Sequence, residues 1–416
     1  MSTLRGPRRW AYQAWTALPP PARGVGETVL RLRVEREVAR QPGFAPGAQR
    51  RLVIGPLNTA GQGERWAAAA ETLPGTSARA ISLERRARGA VSYGYPSDWH
   101  LSRAVQLRGM GPHRARVLGT DGHPGATHVL AETAWSVLAD PYGRWLTQDL
   151  DDLRGAGIEV AVVVHGSEMR DLRRHAAAYR HSPFRGEWDE RWERLQATVE
   201  RTRAMLAELE GSGVPVFVPT PDMLEHVPGA TLLPITADVD RFSPGATQPV
   251  LHRDRPVVLH APTNPRLKGT EAVEEVLIRL QEEGLVVYRR LTGVPNAEMP
   301  AFVADADVVV DQIVLGNVAT LAAESMAAGR LVVGHVAEHI RERTPGLPVL
   351  EATPATLEEV LRDVVAHPDG YRDHAARGPA WAREHHDGRA AARALSPWLG
   401  VNDPSTSEAD GAPDPG

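Results

Sequence analysis

The chain is expected to fold as two doubly wound, Rossmann-like α/β domains facing one another across a cleft. Three observations predict this. At 416 residues the chain is too long for one ordinary core, and two domains of roughly 150–200 residues are expected. Short runs of Val, Ile and Leu alternate with helical patterns, as buried parallel strands and their crossovers do. The alternation pauses near residues 235–250 and then begins again.

Residues 1–48 are rich in Pro, Arg and Gly, with one helical stretch near Glu27–Arg40, and read as an N-terminal extension rather than part of a core. The N-terminal domain, 49–238, opens on the apolar run Arg51–Pro56, the loop Leu57–Gly63 and an Ala-rich helix, Glu64–Leu73. Further buried-strand runs are Ala78–Leu83, His128–Glu132, Glu159–His165, Val214–Val218 and Thr231–Pro234. Between them lie the helical patterns Trp145–Gly155 and Glu187–Glu210. Many i,i+4 acid–Arg pairs in the second predict a solvated surface helix. The C-terminal domain, 239–400, carries strands Pro256–His260, Leu285–Arg290, Ala306–Asp311 and Arg330–His335. Helices Gly269–Glu283, Asn296–Ala304, Asn317–Ala328 and Thr356–Val365 alternate with them. Residues 401–416 are polar and acidic without apolar period, so a disordered tail is expected.

Composition narrows the function classes. No apolar run reaches the ~18 residues of a membrane span. The basic start lacks an apolar h-region, which predicts a cytoplasmic protein. The absence of cysteine excludes disulfides and thiolate metal sites. A net charge of −5 with both signs interspersed leaves no basic stripe for nucleic acid. Trp10, Trp15 and the Arg-rich start leave room for peripheral contact with an anionic membrane.

Of the 47 Lys and Arg residues, Lys268 is the single lysine. Where arginine is the default cation, a surviving lysine suggests a site that needs a compact ammonium. Its surroundings support that. The loop after strand Pro256–His260 turns on two prolines, presents Arg266 and Lys268, and enters a helix, a combination that suits phosphate. A second loop places Gly316 and Asn317 at the mouth of another helix. Glu324 lies two turns on among Ala and Met, where a carboxylate needs a partner. A ribose diol is one such partner and a salt bridge another. His165 ends a buried strand, and Glu132 ends another, placed towards an acceptor. His385 and His386 are expected to be exposed.

Arg266-x-Lys268-Gly269, then Glu324-x-Met326-Ala327-x-Gly329-Arg330-x-Val332-Val333, resembles the donor-binding domain of GT-B glycosyltransferases, in particular retaining family 4. The stretch Asp238-x-Asp240-Arg241-Phe242-x-Pro244 is similar to that family's link between domains. Gly61-x-Gly63 and His165-x-x-Glu168 match it in the N-terminal domain. The resemblance implies transfer of a sugar from a nucleotide-diphosphate sugar to an acceptor hydroxyl with retention, without metal or other cofactor. It implies that Arg266 and Lys268 neutralise the leaving diphosphate, and that Glu324 holds the ribose. Gly316 and Asn317 would lie near phosphates and sugar, His165 near the anomeric centre, and Gly61 and Gly63 along the opposite wall. The acceptor, whether glycan, lipid-linked or a small molecule, is left open. The family carries a Glu where this chain has Gly316. That departure keeps open a catalytically silent GT-B module, and a nucleotide-sugar epimerase is a further alternative.

Overall fold

The computed structural model describes residues 20–84, 93–102, 105–106, 110–133, 135–138, 145–243 and 249–401. The acidic tail from residue 402, Trp10, Trp15 and Pro244 of the linker lie outside the described residues.

Seven strands form the first sheet: β1 (Arg50–Gly55), β2 (Thr76–Leu83), β3 (Trp99–Leu101), β4 (His128–Glu132), β5 (Glu159–Val163), β6 (Val216–Val218) and β7 (Thr231–Leu232). Their order is β3-β2-β1-β4-β5-β6-β7, every neighbouring pair parallel. Five more form the second: β8 (Val257–His260), β9 (Val287–Arg290), β10 (Val308–Val310), β11 (Leu331–Gly334) and β12 (Val349–Glu351). These run β12-β11-β10-β8-β9, again all parallel. The strand order reverses between β1 and β4 in one sheet and between β8 and β10 in the other. Ligands of open α/β sheets bind beyond the strand ends at such points. The loops after β1, β4, β8 and β10 flank these points, and the loop after β5, which pairs with β4, opens at the same ends of the strands.

The helix Pro20–Ala39 does not stand apart as an extension. Val34 and Val38 are 1% and 3% exposed and join the core under the first sheet, and Glu37 accepts the Ser102 hydroxyl at 2.8 Å. Their i,i+4 spacing was a signal in the sequence. The helix Glu190–Leu209 is solvated on one side only. Trp192, Val199, Met205 and Leu209 bury the other side. Strand β3, together with the helices Glu338–Arg343, Pro368–Ala376, Gly378–His386 and Arg389–Leu395, had no expected counterpart.

The linker motif has physical reasons. Asp238 caps the turn Val239–Phe242 by accepting the Arg241 amide at 3.1 Å. Arg241 clamps Asn296 through its side-chain oxygen at 2.9 Å and its carbonyl at 2.7 Å. Phe242, 2% exposed, fills the core of the second domain. His386 is buried rather than exposed, with Nδ1 2.8 Å from the Ile235 carbonyl, while its own carbonyl accepts the Ala237 amide. Burial pushes its pKa down to about 4, so it holds the linker as a neutral ring. Beyond it the helix Arg389–Leu395 returns to the first domain, where Ala391, Ala392 and Leu395 pack with Trp66 and Leu52.

Candidate functional site

The chain leaves β1 through a tight loop in which Asn58, Ala60 and Gly61 take φ of 49°, 52° and 74°. Left-handed backbone at two non-glycine residues needs compensation. Glu132, fully buried at the end of β4, supplies it by accepting the amides of Leu57 at 2.8 Å, Asn58 at 2.5 Å and Thr59 at 3.1 Å. The same carboxylate lies 3.2 Å from His165 Nε2. With Glu132 occupied as an acceptor, the shared proton belongs on Nε2. Nδ1, which has no partner among the described residues, keeps its lone pair. Trp66 stacks on the ring at 5.8 Å and 14°. Burial depresses the His165 pKa, but the hydrogen bond it donates to Glu132 and the charges of Glu168 and Glu132 outweigh it, and the net shift is upward. Glu132 thus positions a loop and a histidine instead of meeting an acceptor.

On the facing domain, Arg266 and Lys268 sit on a separate helical turn, Pro265–Lys268, ahead of the helix Thr270–Glu282 that they were expected to open. Lys268 Nζ lies 2.5 Å from Asp311 Oδ1 at the end of β10, and the other oxygen, Oδ2, is buried without a hydrogen bond. Arg266 points elsewhere. Its guanidinium lies 4.0 Å from the Trp192 ring and 2.5 Å from Asp189, both on the other domain, and it stays 41% exposed.

The helix expected from Asn317 begins at Thr320, and Gly316 to Ala319 form its approach. Gln312 builds that approach, donating to the carbonyls of Asn317 and His335 and accepting the amides of Val314 at 3.2 Å and Leu315 at 2.7 Å. No side chain caps the helix start at Ala319, so its first amides stay available. Glu324 lies on this helix, 5% exposed, and its Oε1 accepts Arg65 Nη2 of the other domain at 2.8 Å. Burial raises the Glu324 pKa against the opposing charge of Arg65. Arg65 is a partner that sequence reasoning missed, in a helix whose alanines drew attention to packing.

Gly316 has a reason to be glycine. Its φ is 73°, and a Cβ there would lie 2.9 Å from the Tyr179 ring. Gly316→Glu therefore combines left-handed strain with overpacking, together about 3 kcal/mol or more. Calorimetry should show its Tm lowered by roughly 6 °C or more. An unchanged Tm would contradict this account of the position.

One cleft of about 320 Å³ gathers the main parts: His165, Arg170, Lys268, Asn317, Thr320 and Glu324 line it. It takes Lys268 from one domain and His165 from the other. Arg266 is not among its lining residues. Gly61 lines a neighbouring cavity of about 310 Å³ together with Arg65, and Gly63 packs in the helix Gln62–Glu71 against Asn58 and Glu132. His175 is turned to Ser182 and the Leu315 carbonyl, away from His165 and Glu168 as any metal partner.

No family model matches the chain, and no curated protein sequence does. Solved structures match it along most of its length. Sucrose-phosphate synthase from Thermosynechococcus elongatus aligns at a TM-score of 0.53 and 14% identity, over 84% of this chain and 98% of that one. HepE from Anabaena, in complex with UDP and glucose, gives 0.55 and 12%, over 85% and 100%. An alpha-glucosyltransferase in complex with UDP and a 13-mer DNA gives 0.55 and 10%, over 84% and 99%. The two facing parallel-sheet domains of this chain have the GT-B fold shared by these glycosyltransferases.

Proposed function

We propose that this protein is a glycosyltransferase that moves a hexosyl group from a nucleotide-diphosphate sugar to an acceptor hydroxyl, with retention as in family 4. One observation carries the reading: a single cleft at the C-terminal ends of both sheets joins a lysine, an uncapped helix start and a carboxylate from one domain to a histidine from the other. The Lys268 ammonium and the amides at Thr320 meet the diphosphate and stabilise it as it leaves. Glu324 accepts from the ribose hydroxyls while Arg65 holds its other side. His165, oriented by Glu132 and Trp66, offers Nδ1 to a hydroxyl at the reacting carbon. UDP, present in the HepE and alpha-glucosyltransferase complexes, is the first base to try. The reaction is assigned to the cytosol. No helix among the described residues is long and apolar enough to cross a membrane.

Lys268 and the helix amides take the neutralising role that a divalent cation fills elsewhere. Released diphosphate should therefore be detected from at least one of a panel of UDP-, GDP-, ADP- and TDP-hexoses, at a rate within about twofold after EDTA treatment. A loss that magnesium restores would refute metal independence. No release from any donor, with any acceptor, would refute the enzymatic reading. It would favour the silent module, which Tyr179 in the space of the missing Glu also favours.

A further inference from the structure

Arg170 is 6% exposed, yet it lines the cleft. Its Nε and Nη2 lie 3.2 and 2.5 Å from Asp222 Oδ2, and its Nη1 has no partner among the described residues. The guanidinium crosses the backbone of Gly166, directly after His165. A Cβ at Gly166 would lie 2.8 Å from both Nη1 and Nη2, so the glycine makes room for the arginine. Asp222, 2% exposed, turns its other oxygen to Asn317 Nδ2 at 3.3 Å, on the approach to the helix Thr320–Ala327. Burial opposes the Asp222 charge, but Arg170 and the hydrogen bonds prevail and hold its pKa below the usual carboxylate value.

The facing domain repeats this construction. Lys268 lines the cleft while Asp311, 3% exposed, pairs with it at 2.5 Å. Each cation is thus fixed by a buried carboxylate and still meets the cavity. His175 and His226, both coupled to the Arg170 charge, add no charge of their own near neutral pH. Burial first, and then Arg170 itself, pushes His175 and His226 down to about 4. Arg170 is the permanent cation that the N-terminal domain brings to the cleft lining.

We propose that Arg170 binds the donor diphosphate from the face opposite Lys268, with Asp222 as its positioning residue. The inference rests on the nucleotide-sugar reading of the cleft. A diphosphate spreads its charge over several oxygens, and two cations on opposite walls, one of them a planar fork, suit it better than one. Contact with both domains also gives the ligand a means of drawing them together.

The test is titration calorimetry with UDP, GDP, ADP and TDP, following whichever the wild type binds most tightly. Arg170→Gln alone leaves Asp222 buried and unpaired, a known cause of unfolding. The double variant Arg170→Gln/Asp222→Asn keeps a neutral hydrogen-bonding pair and is the decisive protein. We expect its Kd to rise at least about tenfold, with a shallower dependence of affinity on salt. Arg170→Lys, which keeps a charge beside Asp222 but loses the fork, should show wild-type Tm with an intermediate Kd, a separation of binding from stability that a purely structural role would not explain. A double variant with wild-type Tm and Kd within about twofold overturns the assignment while leaving the donor reading intact. Failure of the wild type to bind any of the four overturns the donor reading and Arg170's role with it.

Discussion

Lys268→Ala should lower kcat/KM for nucleotide-sugar turnover by at least about tenfold, the expected cost of removing a well-placed charge from a leaving group. The ammonium lies in the cleft lining, at the end of a one-turn helix that puts it beyond β8. Its removal also leaves Asp311, 3% exposed, without its counter-charge. The loss of a buried partner destabilises by about 3–5 kcal/mol, so a drop in activity alone would be ambiguous. Lys268→Ala/Asp311→Asn removes that ambiguity, because it deletes both charges together. The same loss of turnover is expected, now with near-normal Tm. Arg266→Ala is the comparison. Its guanidinium is 41% exposed and sits on Trp192 and Asp189, outside the cleft lining, so its effect on kcat/KM should be smaller than that of Lys268→Ala. Equal kinetics for wild type and both Lys268 variants would remove the diphosphate role.

The second large effect concerns His165. His165→Ala should reduce kcat by about 100-fold or more while the Kd for the diphosphate stays within about threefold. The separation follows from geometry, since His165 belongs to the N-terminal domain and Lys268, Asn317 and Glu324 to the other. The pH profile adds a second readout. The net pKa of His165 is raised, so the neutral ring that offers a lone pair appears only as pH climbs through that raised value. kcat should therefore rise along an ascending limb. Glu132→Gln removes a group that raises the pKa, so the limb should move to lower pH. Linkage runs the same way. The His165–Glu132 pair contributes stability fully below the unfolded histidine pKa and loses it as pH rises through the folded value. A limb that moves to higher pH in Glu132→Gln would contradict the pairing. Loss of diphosphate binding in His165→Ala with kcat preserved would contradict the role.

The fold was legible because parallel strands buried on both faces read as continuous apolar runs, and because the alternation stops and restarts between the two domains; the switch points needed the strand order, which the alternation does not give. Lys268 stood out for its rarity, and Glu324 for its apolar neighbours. Other parts were hidden for physical reasons. Arg65 and Arg170 lie among 47 basic residues, and only the fold shows which of these are buried against Glu324 and Asp222. Glu132 looked like a cleft residue because it ends a strand, but three amides of a distant loop claim its carboxylate. Arg266 lies two residues from Lys268, yet on a single helical turn two residues put side chains on different sides. Helix starts were misplaced where Gly269 and the approach to Thr320 break the pattern, because apolar periodicity runs through such breaks unaltered.

The central claim is that the cleft between the two sheets binds a nucleoside diphosphate. Isothermal titration of the wild-type protein with UDP, GDP, ADP and TDP tests it most directly. One of the four should bind with 1:1 stoichiometry and a Kd on the order of 1–100 μM, and Lys268→Ala/Asp311→Asn should weaken it at least about tenfold. Absence of binding for all four, or binding that the double variant leaves unchanged, would contradict the account.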